Sequence, residues 1–321
     1  MSTENERDKP LRILVIGGCG YTGSVLVNQL LADNHQVVVF DAQWFGNHLE
    51  PRPSLEVYKG DIRTAEVSFE GMDFVIHLAN IANDPSVDLA PTLSWEVNVL
   101  STMKLVESAI KAQVKNFVFA SSGSVYGVKT EPEVTEDLEL VPISVYNKTK
   151  MIAERVLLSY TDKINIWIVR PATVCGPSPR MRLDLSVNML CYQALSKKKI
   201  TVFGGDQVRP NIHVDDLSAV YRHIIAGNAP TGIYNAGFEN ISILSLANAI
   251  QERTGAEIEI TESNDPRSYR QSSRKLLSTG FTPAKSVSHA IEELAQAFDS
   301  GWLEDRDEWY TVKTMVSRDL A

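Results

Sequence analysis

Ile13-Leu14-Val15-Ile16-Gly17-Gly18-Cys19-Gly20-Tyr21-Thr22-Gly23 is the stretch whose reading decides the fold. Four apolar residues run straight into closely spaced glycines. The run is too short for a buried helix and reads, over residues 11–16, as a buried parallel strand. The glycines Gly17, Gly20 and Gly23 are spaced G-x-x-G-x-x-G, so backbone N–H groups can approach a pyrophosphate at the N-terminus of the next helix. That helix is expected over 24–33, with Val25, Leu26, Leu30 and Leu31 on its buried side.

Outward from this turn, strand and helix signals alternate. Val37–Phe40 is a strand that ends in Asp41, Val57-Tyr58 lead into Gly60-Asp61-Ile62 at a strand end, and Asp73–Ala79 is a fourth strand. One long helix is expected over about 88–112, a strand at Phe117–Ala120, a helix from about Tyr146 to Tyr160 and a strand at Ile164–Arg170. This alternation predicts an α/β fold of Rossmann type: a doubly wound, mostly parallel sheet with helices on both faces. After Arg170-Pro171 the rhythm changes. Pro171, Pro177 and Pro179 mark loops, followed by helices at about 184–197, 215–227 and 243–254, strands at Ile200–Phe203 and Ile233–Asn235, a polar loop over 264–275, and a helical then charged end from about 286. The expected division is a dinucleotide-binding domain over 11–170, with returning segments near 204–240, and a smaller, interleaved substrate lobe over 171–321.

Composition narrows the class of molecule. The chain has 321 residues, 44% hydrophobic and 22% charged, which suits a sizeable core. A net charge of −9 disfavours unspecific binding to nucleic acid or to an anionic membrane, so an anionic substrate needs a local basic pocket. Cys19, Cys175 and Cys191 are not spaced as metal ligands and cannot all pair, which points to a reduced, cytoplasmic setting with no metal. Residues 1–10 read as a loose polar tail, and no apolar run is long enough to span a bilayer.

Two further patterns carry chemistry. Asp41 ends the second strand roughly 20 residues after the glycines, where an acid accepts both ribose hydroxyls of a dinucleotide. An acid there repels a 2′-phosphate, and no arginine lies in the glycine turn or just after Asp41, so NAD is expected over NADP. Tyr146-Asn147-Lys148-Thr149-Lys150 places a tyrosine and a lysine at i, i+4, on one helix face. A free phenol, with a pKa of about 10, is a poor base at neutral pH. A nearby ammonium favours the phenolate, and a phenolate can take the proton of a secondary alcohol while hydride leaves the carbon.

These patterns, together with Ser121-Ser122-Gly123-Ser124-Val125-Tyr126-Gly127 after Phe117–Ala120, resemble the extended short-chain dehydrogenase/reductase family, and within it the NAD-dependent nucleotide-sugar epimerases and dehydratases. The likeness covers about 11–300 and implies a seven-stranded sheet with NAD across the strand ends. It implies Ser122, Tyr146 and Lys150 as catalytic residues, with Ser122 holding the reacting oxygen. For the cofactor it implies Gly17, Gly20, Tyr21, Thr22, Gly23, Asp41, Asp61, Ile62, Leu78, Ala79, Ser121, Tyr146, Lys150 and Pro171. Asn98 is either a cofactor contact or a support for the central helix. For the substrate it implies Ser122, Ser124 and Tyr146, with Thr173 where epimerases often carry a sugar-contacting asparagine. Arg209 falls at a phosphate-binding arginine, although Pro210-Asn211 departs from the usual Asp-aromatic pair. Arg267 is a second phosphate candidate or part of a solvated loop, and Arg182 is either near the substrate or on a surface loop. Asn188 stands near the family's substrate asparagine without aligning with it cleanly.

One departure is informative. Sugar-nucleotide 4,6-dehydratases of the family carry Asp-Glu directly after the catalytic Ser/Thr, and the decarboxylases carry Glu at the second place; here these places hold Gly123 and Ser124. The resemblance therefore implies a nucleotide-sugar epimerase, most plausibly acting at C4 through a transient keto-sugar. The alternatives are a one-way oxidase or reductase of a nucleotide sugar, and a non-catalytic NAD-binding regulator. The family also implies a homodimer formed by the helices over 88–112 and 146–160, the second with Met151, Ile152, Val156 and Leu157 as apolar surface.

Overall fold

A computed structural model describes residues 9–262 and 268–320. The apolar runs become strands β1 (Arg12–Ile16), β2 (Gln36–Asp41), β3 (Leu55–Lys59), β4 (Phe74–His77), β5 (Asn116–Ala120) and β6 (Asn165–Pro171). Together with β10 (Gly232–Ala236) they form a seven-stranded sheet in the order β10-β6-β5-β4-β1-β2-β3. Every pairing in it is parallel. β1 is an interior strand, with Val15 opposite Val39 on one side and Ile76 on the other. Its residues Ile13–Ile16 are at most 1% exposed, as a strand covered on both faces requires.

Helix α1 (Tyr21–Ala32) covers one face and packs against α7 (Val214–Ile225). The other face is covered by α4 (Ser101–Lys111) and α5 (Val145–Leu158). The single helix expected over about 88–112 is corrected. The chain forms α2 (Asp84–Leu89), α3 (Pro91–Trp95), a π-helical turn at Glu96–Leu100, and then α4. Pro91 brings no N–H and disfavours helical backbone at the residue before it, and Ala90 leaves the helical region at φ −137°, ψ 70°. α2 starts earlier than expected because the Asn83 side chain accepts the Ser86 N–H at 2.9 Å. π turns are rare and gather at functional sites; this one turns Asn98 inward, where it is 2% exposed.

The rest of the chain builds a second body beside the sheet. β7 (Thr173–Cys175), β9 (Val208–His213) and β11 (Glu239–Ser242) form one small sheet, and β8 (Lys199–Phe203) pairs with β12 (Glu257–Thr261) in another. Helices α6 (Ser186–Lys197), α8 (Ile243–Thr254) and α10 (Val287–Asp299) pack together around Val187, Leu190, Ile250 and Leu294. α9 (Arg274–Leu277) lies against β10, and α11 (Thr311–Ser317) against α2. The polar tail expected over 1–10 and the loop over 264–275 lie partly outside the described residues, and Arg267 lies wholly outside them. Leu157, expected on an outer face, is fully buried in the core beneath the sheet, and Met151 packs beside Tyr126. No helix among the described residues is long and apolar enough to cross a membrane.

Candidate active site

The strand order reverses between β1 and β4, where a doubly wound sheet opens a crevice at its carboxyl ends. A cavity of about 240 Å³ lies there. Gly17, Gly20, Tyr21, Thr22 and Gly23 line it from the glycine turn, and Asp41, Asp61, Ile62, Leu78 and Ala79 from the ends of the next strands. Ser121, Tyr146, Pro171 and Arg182 line it from the other side. Gly17 has φ +88°, and a Cβ there would collide with the Ala79 backbone nitrogen; a Cβ on Gly23 would collide with the Gly17 carbonyl. α1 begins at Gly20 with no side-chain cap and no acid in its first turn, which leaves its first N–H groups free for an anion. These features fit a dinucleotide's pyrophosphate. Asp41 adds the acid at the strand end: its Oδ2 accepts the Cys19 N–H at 3.0 Å and its Oδ1 the Gln43 N–H at 2.6 Å. Burial raises its carboxyl above the ordinary range, and those two N–H groups pull it back.

α5 starts where it does because the Ser144 side chain accepts the Asn147 N–H at 3.2 Å. Tyr146 therefore sits in the first turn at the cavity wall, with Lys150 one turn deeper. Burial pushes the Tyr146 phenol up to about 12, against the pull of a hydrogen bond with Ser122 and of the Arg182 charge. Ser122 Oγ also lies 2.8 Å from Ser124 Oγ. Arg182 is a cation acting on this phenol. Lys150 Nζ donates to the Ala120 carbonyl at 2.7 Å and stands 4.8 Å from the centre of the Phe119 ring. Burial pushes Lys150 down to about 7, with Glu154 working the other way.

A buried network holds this corner. Glu154 accepts from Arg170 Nη2 at 2.6 Å and Nε at 3.0 Å, and also from the Ser121 hydroxyl. Arg170 Nη1 donates to Tyr126 Oη at 2.7 Å, and Tyr126 donates to Asn235. A Cβ on Gly123 would approach Gln271 Oε1 at 2.8 Å, with Gln271 itself tied to the Arg170 carbonyl. A larger side chain at 123 thus meets an occupied space.

Other expected residues are placed differently. Asn98 accepts the Ile81 N–H at 2.8 Å and donates to the Ile81 carbonyl and to Thr149, so its polar atoms hold the loop after β4. Asn188, expected at the substrate, is corrected to a buried clip: it accepts the Gly176 N–H and donates to Tyr21 Oη and the Arg182 carbonyl. Thr173 lies in β7, paired with Asn211, and is not among the cavity's walls. Arg209 donates to the Val208 carbonyl at 3.3 Å, on β9.

The structure also brings in residues that motif spacing did not reveal. Trp44 and Phe45 wall the cavity beyond Asp41, Asn80 and Ile81 follow Ala79, and Thr311 and Met315 reach it from α11. Arg180 is 2% exposed and lines the cavity too, its charge acting on Asp41. Trp44, Phe45, Asn80 and Ile81 adjoin expected site residues but carry no motif, and Arg180, Thr311 and Met315 arrive from segments far away in the chain. The three cysteines are free and buried, and burial raises Cys19 to about 12. His213, Asp215 and Glu293 lie together, and the Lys285 ammonium pairs with the two carboxylates at 2.7 and 2.5 Å.

Residues 13–237 match the NAD dependent epimerase/dehydratase family. UDP-glucose 4-epimerase of Lactobacillus helveticus is 30% identical over 282 residues, covering 78% of this chain and 84% of that protein. Among solved structures, UDP-glucose 4-epimerase of Thermus thermophilus in complex with NAD superposes with a TM-score of 0.78 at 25% identity, covering 89% of this chain and 100% of that one. UDP-glucuronic acid 4-epimerase of Bacillus cereus in complex with UDP-glucuronic acid and NAD superposes with a TM-score of 0.80 at 26% identity, covering 90% and 99%.

Proposed function

The chain belongs to the NAD-dependent epimerase/dehydratase family, and from that premise we propose that it is a UDP-sugar 4-epimerase. The observation that carries this reading is Tyr146 at the cavity wall, hydrogen-bonded to Ser122 and facing the Arg182 charge, with no carboxylate at 123 or 124. The glycine turn would hold the pyrophosphate of NAD, Asp41 its ribose hydroxyls, and Asp61 and Ile62 its adenine end. The chemistry that the bound cofactor would supply is reversible acceptance of hydride from the sugar. Ser122 orients the reacting oxygen. Tyr146 Oη takes the hydroxyl proton and later returns it, and the Ser122 hydrogen bond and the Arg182 charge favour its phenolate. Lys150, whose Nζ donates to the Ala120 carbonyl, would be the residue to hold the nicotinamide ribose. Gly123 and Ser124 offer no acid or base to remove water or to steer loss of CO₂.

The test is to incubate the NAD-loaded protein with UDP-glucose and with UDP-glucuronic acid and to resolve the products by chromatography and mass. An isomer of unchanged mass with the C4 configuration inverted supports the reading. A product lacking water or CO₂, or NADH accumulating in step with an oxidised sugar, sinks it.

We also propose a cytoplasmic homodimer. The π turn and α3 leave Leu100 49% and Trp95 36% exposed on the face where the partner's helices would pack.

A further inference from the structure

We propose that Arg180, from the loop after β7, is a cofactor-binding residue that closes on the pyrophosphate of NAD. The inference concerns the cofactor and does not depend on which sugar is turned over. Arg180 is 2% exposed, and its Nε and Nη2 have no hydrogen-bond partner among the described residues. The acid nearest in sequence is already used: Asp184 takes Arg182 Nε at 2.8 Å. A buried guanidinium without a counter-ion is costly. Burial and the neighbouring Arg182 push Arg180 down to about 9, and Asp184, Asp41 and Tyr21 only partly restore it. A bound anion would supply the missing charge and acceptors.

Placement selects the anion. The segment carrying Arg180 is fastened to the first turn of α1. Tyr21 Oη donates to the Gly176 carbonyl at 2.5 Å, and Ser178 Oγ donates to the Tyr21 carbonyl at 2.6 Å and lies 3.0 Å from Ser24 Oγ. That turn presents the free N–H groups expected to meet a pyrophosphate. The guanidinium carbon stands over the Phe45 ring, 3.8 Å from its centre, and both residues line the cavity. A planar fork of donors suits two phosphate oxygens better than a single hydroxyl does. A 2′-phosphate is the poorer candidate, since Asp41 stands at the ribose.

The experiment compares wild type, Arg180→Met and Arg180→Lys by calorimetry on the cofactor-stripped full chain, with NAD, ADP-ribose, adenosine and NADP. In Arg180→Met, NAD and ADP-ribose should bind about ten- to a hundredfold more weakly, the scale of a charge-assisted hydrogen bond, with adenosine unchanged. Arg180→Lys should recover part of that loss. Without cofactor, Arg180→Met should melt no lower than wild type, because it removes an uncompensated buried charge. Unchanged NAD affinity, a loss confined to NADP, or an equal loss for adenosine would each overturn the assignment. If Arg180→Met does not fold, Arg180→Lys carries the same comparison, with weaker NAD and unchanged adenosine expected.

Discussion

At the scale of single residues, the proposed chemistry turns on a tyrosine whose surroundings favour the neutral phenol until charge arrives. Burial holds Tyr146 at about 12, so phenolate must be drawn out by Ser122 and by cations. Tyr146→Phe keeps the ring and removes the oxygen. Single-turnover NADH formation with the cognate sugar nucleotide should fall by about 10²-fold or more, with NAD affinity retained. Lys150 makes a second prediction, through pH. Burial brings its folded pKa down to about 7, from the 10.5 of an ordinary lysine. Below pH 7 the folded chain carries the full cost of a buried ammonium. Between about 7 and 10.5 the unfolded chain binds more protons than the folded one, so stability rises with pH there. Lys150→Met should therefore raise the melting temperature more at pH 6 than at pH 9. An equal gain at both values would show that the lysine does not titrate in this window.

At the scale of elements, the catalytic corner is held by one buried ion pair between α5 and β6. Arg170 and Glu154 are 3% and 1% exposed at their side chains, and their contacts also fasten Ser121 and Tyr126. Glu154→Ala leaves the Arg170 charge buried and unpaired. Urea unfolding should show a loss of about 3–5 kcal/mol. Asn188→Ala should lower stability by about 1–3 kcal/mol, because it strands the Gly176 N–H and removes the donor to the Tyr21 phenol oxygen. An effect on substrate affinity with no change in the urea midpoint would return Asn188 to the substrate site. The broken helix over 84–111 shows why element type was readable and continuity was not. Pro91 is visible in the sequence, but the π turn that follows is set by packing of Val97 and Asn98 against the loop after β4.

At the scale of the molecule, the proposed dimer predicts a light-scattering mass of two chains at micromolar concentration, and Leu100→Glu should shift it toward one. A single-chain mass for the wild type would remove the proposal. The apolar surface for such a pairing is smaller on α5 than the pattern of Met151, Ile152, Val156 and Leu157 suggested, because Leu157 turns into the core. Helix periodicity places residues on a face but does not say which neighbour covers that face.

The sequence by itself determined the parallel sheet, its glycine turn and Asp41. Each of these is written in a few adjacent residues: an apolar run, a φ that only glycine adopts freely, an acid at a strand end. It determined Tyr146 and Lys150 as neighbours on one helix face, because i, i+4 spacing is local geometry. The tertiary structure brought the Arg182 charge to bear on the phenol, since Arg182 lies 36 positions beyond Tyr146 and only the folded loop after β7 returns it there. The same holds for Arg180 beside Asp41, for Thr311 and Met315 at the cavity wall, and for the short strands β7, β9, β11 and β12. Strands of three to six residues carry little periodic signal, and one of them, β9, contains Pro210. Contacts between distant segments depend on the sum of the packing, and no window of neighbouring residues holds that information.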